Sequence, residues 1–107
     1  MVIPHHNGVL HYALPPLKIL PRIKRLTGDT MPIFVDCGIK SGMDAFKALA
    51  LGASGVCVGT QIIAGLSKEG DAGVRKVLED ITEELAWAMN LTCSPDTAHI
   101  DPSVVWT

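Results

Sequence analysis

Residues 36–59 have the sequence DCGIKSGMDAFKALALGASGVCVG, which is the clearest structural pattern in the chain. It predicts the end of a strand, a loop, a helix and a second strand, and a glycine follows each strand. Loop glycines leave backbone N–H groups unpaired, and a following helix adds its positive N-terminus. Parallel β/α units hold phosphate groups with this arrangement. The stretch therefore predicts an anion site where two neighbouring strands end.

The rest of the chain continues the alternation of strands and helices. An apolar run at residues 32–36 and a second at 55–58 are typical of buried parallel strands. Val2-Ile3 is interpreted as the end of a strand that began upstream, so we expect only two whole strands of a parallel α/β sheet. The predicted helical segments are 16–26, in two pieces or kinked at Pro21; 41–51, with Ser41 and Asp44 as a capping box; a single short turn at 62–66; and a long amphipathic helix after Gly70 that stops at 92–95.

Size and composition limit the possible functions. The chain has 107 residues, whereas a complete (β/α)₈ barrel needs about 250. A net charge of -2 gives no electrostatic case for nucleic acid or an anionic membrane. No signal peptide or apolar run of about 20 residues is present, so we expect no membrane partner. The three cysteines lack paired spacing, which predicts small buried or half-buried reduced thiols and a cytoplasmic location.

The pattern Asp36-x-Gly38, with Lys40 and the run Lys-Ala-Leu-Ala-Leu-Gly-Ala, resembles the FMN-dependent α-hydroxy-acid oxidase and dehydrogenase family. This is the group of glycolate oxidase and lactate oxidase. The resemblance implies that residues 1–107 are the C-terminal portion of a (β/α)₈ TIM barrel. They would hold its last two strands with their helices, an incomplete barrel, and FMN as the cofactor.

The resemblance also assigns a flavin phosphate site. Asp36, Gly38 and Lys40 match the loop after the seventh strand, with Lys40 in place of an arginine. Lysine supplies the charge but not the planar fork. Gly59 and Thr60 match the end of the eighth strand, where Thr60 replaces a second arginine. The alternative is that Asp36 caps a loop, Lys40 is solvated and Thr60 is a plain helix cap.

The loop after Val2-Ile3 contains His5-His6-Asn7-Gly8 and resembles the family's Ser-Asn-His-Gly-Gly-Arg motif. The alignment puts His6 on the catalytic base, a role that suits the pKa of histidine. It puts Val9 on the arginine that clamps the substrate carboxylate, and valine cannot form that pair. His6 is otherwise a structural or solvated histidine. A metal loop of His5, His6 and His11 has no acidic or cysteine ligand at a recognised spacing, so we predict no metal site.

The resemblance implies an FMN-dependent oxidoreductase that oxidises a small L-2-hydroxy acid, of the lactate or glycolate type, to the 2-keto acid. Three alternatives stay open. The first is an inactive fragment with a packing or oligomerisation role, which Val9 and Thr60 favour. The second is a half-barrel that pairs with a separately encoded half. The third is part of another phosphate-binding flavin barrel, such as type 2 isopentenyl-diphosphate isomerase. We expect a homo-oligomer or a missing N-terminal barrel half as partner.

Overall fold

The computed structural model describes residues 1–3 and 12–106, which form a small parallel sheet with helices on one face. The chain runs through three β/α units in strict alternation. The elements are β1 (Val2–Ile3), α1 (Pro16–Thr27), β2 (Phe34–Val35), α2 (Gly42–Ala50), β3 (Gly55–Val56), α3 (Thr60–Leu91) and a 3₁₀ turn (Pro102–Val104).

The sheet has three strands in the order β1-β2-β3, all parallel. Val2-Ile3 is a strand segment as interpreted, but it pairs as a full third member of the sheet, so the count of two strands was wrong. On one side of β2, the Phe34 N–H donates to the Met1 carbonyl at 2.8 Å and the Asp36 N–H to the Ile3 carbonyl at 3.0 Å. On the other side, the Cys57 N–H donates to the Val35 carbonyl at 2.8 Å. A two-residue strand shows no period in the sequence. Only its pairing with β2 identifies it.

The core lies between the sheet and the helices. Ile33 and Val35 alternate onto the helix side and are fully buried against Leu20 of α1 and Ala48 of α2. On the opposite face, Val2 is 57% and Phe34 is 41% exposed. One face of the sheet is therefore covered by helices, whereas apolar side chains of the other face are open.

Two of the predicted helices differ from the structure. Helix α1 is one helix with Pro21 inside it, so the two-piece alternative was wrong, whereas a kink at Pro21 stays a prediction. Pro21 removes one backbone donor, but the neighbouring Leu20 is buried in the core and anchors the helix. The single turn predicted at 62–66 was also wrong, because α3 is helical from Thr60 and is interrupted only at Glu69 and Gly70.

Glycines shape the interruption of α3. Gly70 has a φ of 64°, which favours glycine, and the longer helix follows it as predicted. A methyl group on Gly73 would collide with the Gly65 carbonyl oxygen, so the two parts of α3 pack backbone to backbone.

Among the described helices, none is long and apolar enough to cross a membrane.

We predict that the isolated chain self-associates. Within residues 1–3 and 12–106, strands β1 and β3 each have one edge without a partner strand, and Val2 and Phe34 expose apolar surface on the open face of the sheet. Unpaired edges of this kind recruit further strands. Light scattering coupled to gel filtration should show oligomers or aggregates. A monodisperse monomer with a cooperative thermal transition would show that the open face needs no cover.

We predict that Gly42→Ala destabilises the fold. Gly42 is buried, and an added methyl group would collide with the backbone of Ile81 and Leu85 in α3. Overpacking against backbone costs about 1–3 kcal/mol. Gly59→Ala is the matched control, because a methyl group there meets nothing within 4 Å. Thermal unfolding should show a larger drop in the midpoint for Gly42→Ala than for Gly59→Ala, which loses only a glycine N-cap. Equal midpoints would contradict the tight crossing of α2 and α3.

Candidate functional site

The carboxyl ends of the three strands meet at one edge of the sheet. Because β1, β2 and β3 are parallel, the segments that follow them begin side by side. The segment after β1 carries His6, which lies outside the described residues, as do His5, Val9 and His11. The catalytic assignment of His6 and the alternative metal loop therefore stay predictions. The segments after β2 and β3 are described and form the candidate site.

The segment after β2 is a tight turn. The Asp36 carboxylate accepts a hydrogen bond from the Cys37 N–H at 2.8 Å. Cys37 and Gly38 follow with φ values of 70° and 81°. Two successive left-handed residues reverse the chain sharply, and the Asp36 carboxylate caps the turn. A methyl group on Gly38 would meet nothing within 4 Å, so the turn has open space beside it.

Lys40 lies at the end of this turn and is exposed. Its backbone N–H donates to the Asp44 carboxylate at 3.0 Å. Its ammonium group forms no ion pair with any residue in 1–3 or 12–106. The charge of Lys40 is therefore available to an anion at this edge.

The N-terminus of α2 is closed by acceptors of the protein itself. The Ser41 hydroxyl accepts from the Asp44 N–H at 3.2 Å, which confirms the predicted cap. The reciprocal bond of Asp44 goes to the Lys40 N–H rather than to that of Ser41. The Gly42 N–H donates to the Glu84 carboxylate of α3 at 2.8 Å. No part of the sequence pattern indicated Glu84, because its partner is 42 positions away.

The N-terminus of α3, in contrast, is open. Gly59 is its N-cap, no side chain caps this end, and Thr60 is the first helical residue. The alternative in which Thr60 caps the helix was therefore wrong. A methyl group on Gly59 would meet nothing within 4 Å. The first-turn N–H groups of a helix have no intrahelical acceptor, so this end attracts an anion.

All three cysteines are exposed, and each follows the end of a strand or helix. Cys37 and Cys57 follow β2 and β3 at the candidate site, whereas Cys93 follows the end of α3. The prediction that these thiols are buried or half-buried was wrong. Each of them lies just beyond the end of an element, where the backbone leaves the core.

The resolved pKa shifts lie outside the candidate site. A hydrogen bond from His99 lowers the pKa of Asp96, and a hydrogen bond from Lys24 lowers the pKa of Asp29. Both carboxylates are exposed, in turns apart from residues 36–40 and 57–60. In residues 1–3 and 12–106, no group of three or more metal-ligating side chains comes together.

The described residues fit a phosphate group. The open glycines Gly38 and Gly59, the uncapped end of α3 and the ammonium of Lys40 supply space, N–H donors and positive charge. Phosphate binding at helix N-termini uses the same three contributions.

The sequence of the chain matches one family of flavin enzymes over its whole length. The sequence profile of the family described as FMN-dependent dehydrogenase matches residues 1–107. A 2-hydroxyacid oxidase of Dictyostelium discoideum is 38% identical over 107 residues, which are 99% of this chain and 28% of that protein. Glycolate oxidase 3 of Oryza sativa subsp. indica is 37% identical over 108 residues, which are 100% of this chain and 29% of that protein.

Solved structures of hydroxy-acid-oxidising flavin enzymes are also similar to this chain. A mandelate oxidase variant with a monooxide FMN adduct superposes with a TM-score of 0.80 at 36% identity, over 96% of this chain and 32% of that one. A soluble variant of the membrane-associated (S)-mandelate dehydrogenase of Pseudomonas putida gives a TM-score of 0.88 at 31% identity, over 95% of this chain and 29% of that one. The chain thus spans about a third or less of the length of these relatives.

Proposed function

The chain belongs to the FMN-dependent dehydrogenase family, and on this premise we propose that it supplies the phosphate-binding end and the base-bearing loop of an FMN-dependent enzyme that oxidises small L-2-hydroxy acids. The observation that carries the proposal is the open N-terminus of α3 after β3, together with the open Gly38 and the exposed Lys40 in the segment after the neighbouring strand β2. Relatives named as hydroxy-acid, glycolate and mandelate oxidases support this substrate class. Lactate or glycolate is the proposed size of substrate.

In this proposal, residues 1–107 form the C-terminal portion of a TIM barrel. The strands β1, β2 and β3 would be consecutive barrel strands. Their open face, with Val2 and Phe34, would be covered by the remainder of the barrel. The partner is then the missing N-terminal part, with or without a homo-oligomer of the whole. The cytoplasmic location stays a prediction.

The flavin phosphate would bind between β2 and β3. The N–H groups of Gly59 and Thr60 would donate to its oxygens, and the Lys40 ammonium would neutralise part of its charge. Thr60 stands where the resembled family has a second arginine. Its hydroxyl would donate a neutral hydrogen bond instead of a charged one, which weakens phosphate binding. Asp36 would shape the turn through the Cys37 N–H rather than contact the phosphate, since two anions would repel each other.

When bound, FMN supplies the electron acceptor for oxidation of a hydroxy acid to the keto acid. His6 is proposed to take the hydroxyl proton of the substrate, because neutral imidazole accepts a proton near pH 7. Val9 offers the substrate carboxylate no cation, so the substrate would be poorly oriented. A second candidate function is therefore an inactive fragment with a packing role, which Val9 and Thr60 favour.

We predict that the isolated chain binds FMN weakly. Charge-assisted phosphate contacts contribute about 1.5–3 kcal/mol each, and association entropy offsets most of this. Purified protein should be colourless, and excess FMN should slow alkylation of Cys37 and Cys57 but not of Cys93, which serves as the internal control. A yellow protein with stoichiometric flavin would contradict weak binding. If FMN changed the alkylation rates of all three thiols by the same factor, the site would be contradicted.

Gly59→Ala is the matched variant for this measurement. The added methyl group meets no protein atom within 4 Å, but it fills the space assigned to the phosphate. The variant should therefore stay folded in thermal unfolding and lose the protection of Cys57 by FMN. If protection of Cys57 persisted, the phosphate would not lie at the end of α3.

We predict that His6 and Val9 affect turnover in opposite directions. The isolated chain should oxidise neither lactate nor glycolate. In a barrel completed with the N-terminal part of a relative, Val9→Arg should raise turnover, because a transition-state charge contact changes rates by about 10²–10³. His6→Ala should abolish turnover in the same background, with FMN content measured as the control. An unchanged rate for His6→Ala at full FMN content would exclude the base assignment.

A further inference from the structure

We propose that Glu84 is a positioning residue that closes the N-terminus of α2 and thereby directs the phosphate to the N-terminus of α3. The proposal rests on the proposed function for its ligand, but its structural part does not depend on any ligand. Two helices, α2 and α3, begin just after the carboxyl ends of β2 and β3. Each helix start is a potential anion site, yet only one of them is open.

The contact that closes α2 is made across the fold. The Glu84 carboxylate accepts the Gly42 N–H at 2.8 Å in a partly buried position. Gly42 has no space for a methyl group, because the backbone of Ile81 and Leu85 lies against it. This tight crossing brings the start of α2 within reach of the Glu84 side chain. Only a glycine at position 42 permits such an approach.

The groups that close the start of α2 are carboxylates, and their negative charge disfavours a phosphate at that helix start. Asp44 accepts the Lys40 N–H and Glu84 accepts the Gly42 N–H, so two carboxylates already use the positive end of α2. A phosphate there would have to displace one carboxylate and lie beside the other, and like charges repel. At α3, Gly59 brings no side chain and no charge. The anion therefore binds more favourably at α3.

The same bond also fixes the turn that carries Lys40. Lys40 and Gly42 are two positions apart, and α3 holds Gly42 through Glu84. The open start of α3 lies in the first part of α3, before the interruption at Glu69 and Gly70, and this part packs on the second part through Gly65 and Gly73. Glu84 thus links the turn that carries Lys40 to the second part of α3, and the Gly65–Gly73 contact links that part to the open N-terminus.

The test is hydrogen-exchange mass spectrometry of the full chain, with peptides that cover residues 36–46 and 57–66, with and without inorganic phosphate at constant ionic strength. Glu84→Ala should raise exchange at residues 42–44 by about tenfold, the lower end for loss of a hydrogen bond to a charged group. Phosphate should protect residues 59–62 in the wild-type chain, and also 42–44 in Glu84→Ala. Glu84→Gln keeps an acceptor and should restore protection of 42–44 without phosphate. Glu83→Ala is the matched control, since Glu83 is exposed and neighbours Glu84.

Unchanged exchange at 42–44 in Glu84→Ala would overturn the proposal, as would an equal rise in Glu83→Ala. If circular dichroism shows that Glu84→Ala does not fold, the same exchange measurement is made on Glu84→Asp. Its shorter side chain should release the Gly42 N–H and raise exchange at 42–44, and no rise would overturn the proposal. Absence of phosphate protection at 59–62 in the wild-type chain would instead count against the proposed function. The closing role of Glu84 would then still be judged from exchange without phosphate.

Discussion

The central position of β2 is the constraint on which the rest of the structure depends. Its backbone donates to β1 on one side and accepts from β3 on the other, so all three strands point the same way. Parallel pairing requires a crossover between successive strands, which places α1 and α2 on one face of the sheet. It also collects the carboxyl ends of the strands at one edge, where the segments that carry Asp36 and Gly59 begin.

The second determinant is the close crossing of α2 and α3 at Gly42. Backbone contact there leaves no space for a side chain, and Glu84 uses the short distance to cap α2. The two helix starts at the carboxyl edge therefore differ. One is occupied by the protein's own carboxylates, whereas the other has open N–H groups and open space. In the proposed function, this difference places a phosphate at α3.

Several features could be predicted from the sequence because their causes are local. The Ser41 cap lies three positions from its donor Asp44, and the left-handed Gly70 directly precedes the longer helix. The features that were missed depend on distant partners. Strand β1 is defined by its pairing with β2, and α1 passes through Pro21 because Leu20 is buried. The first part of α3 packs through Gly65 against Gly73, which no short window of sequence indicates.

The sequence by itself determined the β/α order, the glycines at the strand ends and the family, since these follow from local periodicity and from motifs of adjacent residues. Tertiary structure decided the number of strands, the burial of the thiols and which helix start is available. Availability depends on where acceptors lie in space. The Glu84 carboxylate closes α2 from a position 42 residues away. Hydrogen bonds depend on distances of about 3 Å between groups, whatever their separation along the chain.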